Sequence, residues 1–505
     1  MKFNFLSKQK NVTVNHTGAK AYKITPELEL YTAVVTTGLG NSFYESADGR
    51  VARLQALILK CDPEFVAKLA VYARTEMHLR SVPLVLTVEL ARAVSGTSAV
   101  SKMVSRVIER ADEITELLAY YQLANARTGT KKLNGLSKQV QKGLALSFNK
   151  FDEYQFAKYN RNTDVKLRDA LFLVHPKAKD ESQQEIFNKI AANALATPYT
   201  WETELSNLGQ HKYNDVAEKQ QAFKARWEEL IASKKMGYMA LMRNLRNILD
   251  AQVSVAHMRM VCDYLANPGA VASSKQLPFR FLSAYRELKN HASGSTAMVL
   301  NALEDAVMQS AVNIKGFGYN TSVVIACDVS GSMQNAVSAK STIMYYDIGL
   351  MLGMLMQSQC KNVITGMFGN TWKVINMPNR NVLANVMEYY KREGEVGYAT
   401  NGYLVVEDLI KRKVVADKVM LFTDMQMYST DGTGHSFENS WNRYKTIAPN
   451  AKLYLFDLAG HGAMPLDVRR NDVYLIAGWS DKVFDMLEAV ENTGLAMEKI
   501  YSIAL

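Results

Sequence analysis

Apolar residues recur every three to four positions from Pro26 to about residue 313, the spacing that lines one face of a helix. The pattern predicts helices over 50–61, 82–95, 98–109, 111–125, 136–149, 164–174, 181–196, 214–233, 237–249, 251–266, 278–290 and 296–313. Another starts at Asp62-Pro63-Glu64, where Asp62 can cap and Pro63 can occupy the first helical position. Connections are short and no fixed-period repeat is visible, which suggests a solenoid of diverged antiparallel helix pairs. Residues 1–25 are mixed and polar and read as an irregular arm.

The pattern changes after residue 315. Short β-branched runs now alternate with helical stretches: Thr321–Cys327, Val363–Phe368, Thr371–Ile375, Val419–Phe422, Leu453–Asp457 and Val473–Ala477. Gly369-Asn370 between the second and third runs predicts a hairpin. Helices are expected from about Lys340 to Gln359, from Leu404 to Lys413 and from Asp481 to Glu491. Met344, Met351, Met354 and Met356 in the first of these read as core filling. Alternating strands and helices predict a doubly wound α/β sheet. The expected organisation is multidomain, an all-α part over 1–315 followed by an α/β part over 316–505.

Charge separates the same two parts. Residues 1–315 carry 42 Lys and Arg against 30 Asp and Glu, whereas residues 316–505 carry 17 against 19. A basic helical half beside a near-neutral α/β half points to a polyanionic partner, and equally to a lysine-rich solvated face. Cys61, Cys262, Cys327 and Cys360 lack metal or disulfide spacing and fit a reducing compartment. The N-terminus has too short an apolar core for a signal peptide. The most apolar run, Ile348–Met356, is too short to span a bilayer. The expectation is a cytoplasmic, soluble monomer without membrane association.

The chemistry concentrates at Asp328-Val-Ser-Gly-Ser-Met333, directly after a strand. Asp328, Ser330 and Ser332 are hard oxygen donors, suited to Mg²⁺ or Mn²⁺ rather than zinc. Gly331 is read as the residue that lets the backbone turn between the serines. The plain alternative is a strand-to-helix turn with capping side chains. Gly397-Tyr-Ala-Thr-Asn-Gly402 supplies a loop hydroxyl at Thr400, and Val419-Met-Leu-Phe-Thr-Asp424 is a second strand ending in a carboxylate. Tyr428–Ser440 reads as a loop able to gate this face. Asp-x-Ser-x-Ser, a loop Thr and a strand-end Asp, in that order, resemble the metal-ion-dependent adhesion site of von Willebrand factor A domains. The resemblance implies that Asp328, Ser330, Ser332, Thr400 and Asp424 hold a divalent metal, Mg²⁺ or Mn²⁺. The open coordination position would then take an acidic group of a protein partner.

Asp62-Pro-Glu-Phe-Val-Ala-Lys-Leu-Ala-Val-Tyr-Ala-Arg74 with Leu79–Pro83, Val165–Lys177 and Met239–Leu249 resemble the TROVE module of the Ro autoantigen family. A TROVE module followed by a von Willebrand A (Rossmann-like) domain is the Ro architecture, and the combination suggests a bacterial or phage-type member. The resemblance implies a ring of HEAT-like repeats that binds small noncoding (Y-like) RNAs outside and single-stranded 3′ ends of misfolded RNAs in its hole. It further implies a role in RNA quality control or degradation, with an exoribonuclease as a potential partner.

Phosphate contact requires exposed cations. Candidates are Lys131 and Lys132 in a polar loop, Lys138 and Lys142 one turn apart on one helix face, and Lys166, Arg168, His175 and Lys177 around the next helix. Arg168 and His175, seven residues apart, are expected on one face. Arg243 and Arg246 in an apolar helix either line a basic hole or, the slightly favoured reading, pair with buried acids between repeats. No phosphate-binding Gly-x-x-x-x-Gly-Lys, His-Glu-x-x-His or Gly-x-Ser-x-Gly motif is present, and no enzyme activity is expected. The competing reading is a metal-dependent protein-interaction scaffold without RNA binding.

Overall fold

A computed structural model describes residues 12–14, 20–23, 25–36, 47–125, 135–160, 162–274, 276, 278–311, 317–337, 341–378, 380–427, 436–459, 463–466, 472–477 and 496–505. The chain forms two compact units. One comprises Val51–Gln276, Ala284–Ala306 and Ala496–Leu505, and the other Met1–Arg50, Leu277–Ser283 and Val307–Leu495. The division therefore departs from the expected 1–315 and 316–505 at both ends of the chain.

The first unit is helical. Helices form at Pro63–Thr75, Ser81–Ala93, Ala99–Val107, Ala111–Ala124, Lys138–Phe148, Leu167–Val174, Glu181–Ala192, Val216–Ala232 and Val255–Ala266, within a few residues of their expected bounds. The Asp62 cap is in place, its carboxylate accepting from Phe65 N at 3.0 Å. Helices Glu153–Tyr159, Trp201–Gln210 and Pro268–Ser274 were not expected, being short, at seven, ten and seven residues. The stretch 237–249 is not one helix but two, Tyr238–Arg243 and Leu245–Asp250, broken at Asn244.

An ionic cluster sits inside this unit. Arg74 and Glu113 are buried, and Glu113 Oε1 accepts from Arg74 Nη2 at 2.8 Å and Arg80 Nε at 3.4 Å. Its Oε2 accepts the backbone N–H groups of Glu109 (2.9 Å) and Arg110 (3.0 Å), which caps helix Ala111–Ala124. Helix Pro63–Thr75 is also covered by the distant helix Ala496–Tyr501. Tyr501 lies 5.3 Å from the Phe65 ring, its carbonyl accepts from Lys68 Nζ at 2.8 Å, and Ile500 is fully buried.

The second unit holds two sheets. Strands β1 (Val12–Val14), β2 (Lys20–Lys23) and β8 (Ala463–Met464) form a small antiparallel sheet, so part of the expected irregular arm is strand. Only the pairing with Ala463–Met464, more than 400 positions away, completes it, and a local pattern cannot show that. The main sheet comprises β3 (Ser322–Asp328), β4 (Asn362–Phe368), β5 (Trp372–Val374), β6 (Lys418–Thr423), β7 (Lys452–Asp457) and β9 (Val473–Ala477), ordered β5-β4-β3-β6-β7-β9. All pairs are parallel except the β4–β5 hairpin. The strand order reverses between β3 and β6, and such switch points open a crevice at the carboxyl ends of the strands.

Helix Tyr345–Gln357 covers the sheet with Met351, Met354 and Met356 buried, as expected of core. It starts later than the expected Lys340, because Val337 N–H bonds Ile343 O and Tyr345 N–H bonds Asn335 O, closing a loop instead. Ser436 N-caps helix Phe437–Ile447, so the end of the expected Tyr428–Ser440 loop is helical. Residues 428–435 and the helix expected at Asp481–Glu491 lie outside the described residues.

Candidate metal centre and nucleic-acid interface

The β3 and β6 register places Cys327 beside Phe422, and so brings Asp328 and Thr423 together at the carboxyl ends of the two switch-point strands. Asp328, Ser330, Ser332, Thr400 and Asp424 are all buried, although three are loop residues. Asp328 Oδ1 accepts from Ser330 N at 2.9 Å, and the two serine hydroxyls lie 3.3 Å apart. Asp424 Oδ1 accepts from Gln426 N at 3.1 Å. The serines converge because Gly331–Gln334 is a 3₁₀ turn in which Met333 N–H bonds Ser330 O. Gly331 is not left-handed there, and a Cβ on it would meet nothing within 4 Å. The expectation that this glycine enables the turn is corrected.

The glycines that matter are at Gly369 and Gly397. Thr400 stands on a loop tied to the end of β4: Asn401 N–H bonds Gly369 O at 3.2 Å, and Asn370 Oδ1 accepts from Ala399 N at 3.0 Å. A Cβ on Gly369 would lie 2.0 Å from Gly397 O, and Gly397 itself has φ +73° with Asn370 against it. If the site takes Mn²⁺, Gly369→Ala should therefore displace the Thr400 loop and weaken that binding, while Gly331→Ala should leave it unchanged. Calorimetric titration of both variants checks this, and equal affinities would contradict it.

Electrostatics explain why such a site suits a cation. Burial and the neighbouring Asp424 charge push the Asp328 carboxyl up to about 7 from 3.8, and the bonds from Ser330 and Thr423 only partly oppose this. Two buried carboxylates with three hydroxyls and no nitrogen or sulfur donor fit a hard divalent cation. No cluster of three or more His, Cys, Asp or Glu side chains with metal-binding geometry occurs among the described residues.

The basic candidates lie on the helical unit. Lys131 and Lys132 lie outside the described residues. Lys138, Lys142, Lys166, Arg168, His175 and Lys177 are exposed. Two amides join the elements that carry four of them. Gln141 Nε2 donates to Leu173 O at 3.2 Å, and Asn149 Nδ2 donates to Lys177 O at 2.9 Å. Helix Lys138–Phe148 and the segment 173–179 therefore run side by side, with Lys138, Lys142, His175 and Lys177 along them. His175 is not on the Arg168 helix face as expected. It occupies the left-handed cap position (φ 50°), where its N–H bonds Leu171 O at 2.9 Å.

Arg168 lies 5.6 Å from the ring of Phe172, a half-exposed aromatic that sequence reading passed over. Arg243 and Arg246 are both exposed, which corrects the expected burial with acids. Arg246 pairs with the exposed Glu287, and Arg243 has no ion pair among the described residues. Thr423, whose hydroxyl donates to Asp328 Oδ2 at 2.7 Å, was also missed. Its position next to a strand-end Asp was the only available signal.

Comparison with known proteins places these features. Telomerase protein component 1 of Rattus norvegicus is 25% identical over 305 residues, covering 45% of this chain, and that of Mus musculus is 24% identical over 302 residues, covering 44%. The chain spans 11% of the length of each of these relatives. The crystal structure of the Deinococcus radiodurans RO (RSR) protein superposes with a TM-score of 0.61 at 16% identity, covering 93% of this chain and 100% of that one, which establishes a shared fold. The TROVE domain model matches residues 41–226 and 194–315, more than half of the sequence, and the chain belongs to the TROVE domain family.

Proposed function

We propose that this protein is a Ro-type RNA-binding protein. The observation that carries the reading is the exposed strip of Lys138, Lys142, His175 and Lys177, joined by Gln141 and Asn149, on a TROVE-family helical unit. Cations spaced along two parallel segments match phosphates along a backbone, and Arg168 on Phe172 offers a face on which a base can stack. The ligands we propose are small noncoding, Y-like RNAs and the single-stranded 3′ ends of misfolded RNAs. Arg243 and Arg246 are the candidates for the strand end. A role in RNA quality control, alone or with an exoribonuclease, follows from that ligand class. No enzymatic step is assigned to this chain.

The α/β unit is read as a von Willebrand A-type domain. Asp328, Ser330, Ser332, Thr400 and Asp424 are the residues that would hold Mg²⁺ or Mn²⁺. When bound, the cation supplies a Lewis-acidic point for an acidic side chain of a protein partner. The β3 and β6 ends fix the two carboxylates, and the turn at Ser330–Ser332 keeps both hydroxyls beside them. This buried donor set also supports the second reading, a metal-dependent scaffold without RNA. No described helix is long and apolar enough to cross a membrane.

Binding of one hairpin RNA, with and without a 3′ single-stranded tail, across a salt series separates the readings. The logarithm of the affinity should fall linearly with log salt, with a slope of roughly −0.7 to −0.9 per phosphate contacted, and the tail should strengthen binding. Absence of affinity for either RNA at low salt would leave the scaffold reading.

A further inference from the structure

We propose that Thr423 is the positioning residue of the metal centre, fixing the Asp328 carboxylate in the orientation that a cation requires. The proposal rests on the metal reading of the site and adds to it a residue that the five-donor pattern does not contain.

The geometry is specific. Thr423 Oγ1 lies 2.7 Å from Asp328 Oδ2 and 3.2 Å from Met425 N. The Met425 N–H can only donate, so the hydroxyl accepts from it, and the one proton of the hydroxyl is left for Asp328. The amide thus sets the direction of the hydroxyl proton. Asp328 Oδ1 is held by Ser330 N on the other side. Each carboxylate oxygen then has one fixed donor and keeps acceptor capacity toward the serines. Thr423 and Asp328 are both fully buried, so water does not substitute for either bond.

The bond also joins the two strands on either side of the switch point. Met425, next to Asp424, adopts φ +64° while buried. The Thr423 hydroxyl is one of the groups that hold this turn, through the Met425 amide. One side chain therefore orients Asp328 directly and steadies the backbone that presents Asp424. Groups that orient metal ligands without touching the metal typically change affinity by about 10–100-fold when removed.

The test is Mn²⁺ titration of the full chain, followed by electron paramagnetic resonance of free Mn²⁺ and by calorimetry, for wild type, Thr423→Val and Thr423→Ser. Valine keeps the shape and removes the hydroxyl, and serine restores it. We expect Thr423→Val to bind Mn²⁺ about 10–100-fold more weakly and Thr423→Ser to recover most of the affinity. Circular dichroism of the metal-free variants reports folding. Should the valine variant not fold, Thr423→Cys, which keeps the volume but offers only a weak S–H donor, takes its place with the same expectation. Wild-type affinity in a folded valine or cysteine variant would overturn the proposal, as would a serine variant no better than valine. A wild-type protein that binds no Mn²⁺ would overturn the metal reading as well, so the two failures are distinguishable.

Discussion

Replacing Glu113 by alanine is expected to destabilise the helical unit by about 3–5 kcal/mol, among the largest single-residue effects in this chain. Glu113 is fully buried and its carboxylate accepts from Arg74, Arg80 and the amides of Glu109 and Arg110. Its loss strands the guanidinium of Arg74, also buried, and leaves two amides at a helix start without their acceptor. Arg74 keeps Glu109 at 3.5 Å and donates to Val107 O at 3.2 Å, but Glu109 is half exposed and offsets only part of the burial cost. Glu113→Gln should cost less, since its carbonyl can still accept. Urea unfolding followed by circular dichroism measures both. A Glu113→Ala loss below about 1 kcal/mol, the scale of an ordinary neutral hydrogen bond, would show that the cluster relaxes or hydrates readily.

Replacing Asp328 by alanine is expected to abolish Mg²⁺ and Mn²⁺ binding, and with it any metal-dependent partner binding, while RNA affinity of the folded protein stays nearly unchanged. The donor set loses a buried carboxylate, and the remaining Asp424 and hydroxyls are too few for tight binding. The cations proposed to face RNA belong to the other unit, so the two activities should separate. An equal loss of RNA affinity in a folded variant would contradict that separation.

The same residue gives a pH signature. Burial, and then the Asp424 charge, push the Asp328 carboxyl of the folded, metal-free protein up to about 7 from 3.8, so folding takes up a proton between those values. Its contribution to stability is therefore most favourable below about 4, declines as pH rises from about 4 to about 7, and is flat above. Mg²⁺ should offset the loss at the upper end by binding the carboxylate form. Thermal melts of wild type and Asp328→Asn, with EDTA or Mg²⁺, read this out. The asparagine variant should lose both the decline and the Mg²⁺ effect.

Much of this architecture is legible in the sequence. The 3.6-residue spacing located the principal helices, because amphipathic periodicity is a local property. The apolar runs ending in Asp328 and at Asp424 located two strands and the acidic site between them, because a buried parallel strand needs a continuous apolar run wherever it lies. The Gly369-Asn370 hairpin was legible for the same local reason.

What the pattern could not supply depends on contacts between distant residues. β1 and β2 are strands because Ala463–Met464 pairs with β2. Glu113 is a structural acid because Arg74, from helix Pro63–Thr75, and Arg80, just before helix Ser81–Ala93, approach it. Gly369 matters and Gly331 does not, because Gly397 packs on one and nothing packs on the other. His175 leaves its helix face because the chain turns left-handed there to satisfy Leu171 O. Spacing along the chain determined which residues could meet the cation. Tertiary packing decided that Thr423 meets Asp328, since a hydrogen bond between residues 95 positions apart exists only once two parallel strands are in register.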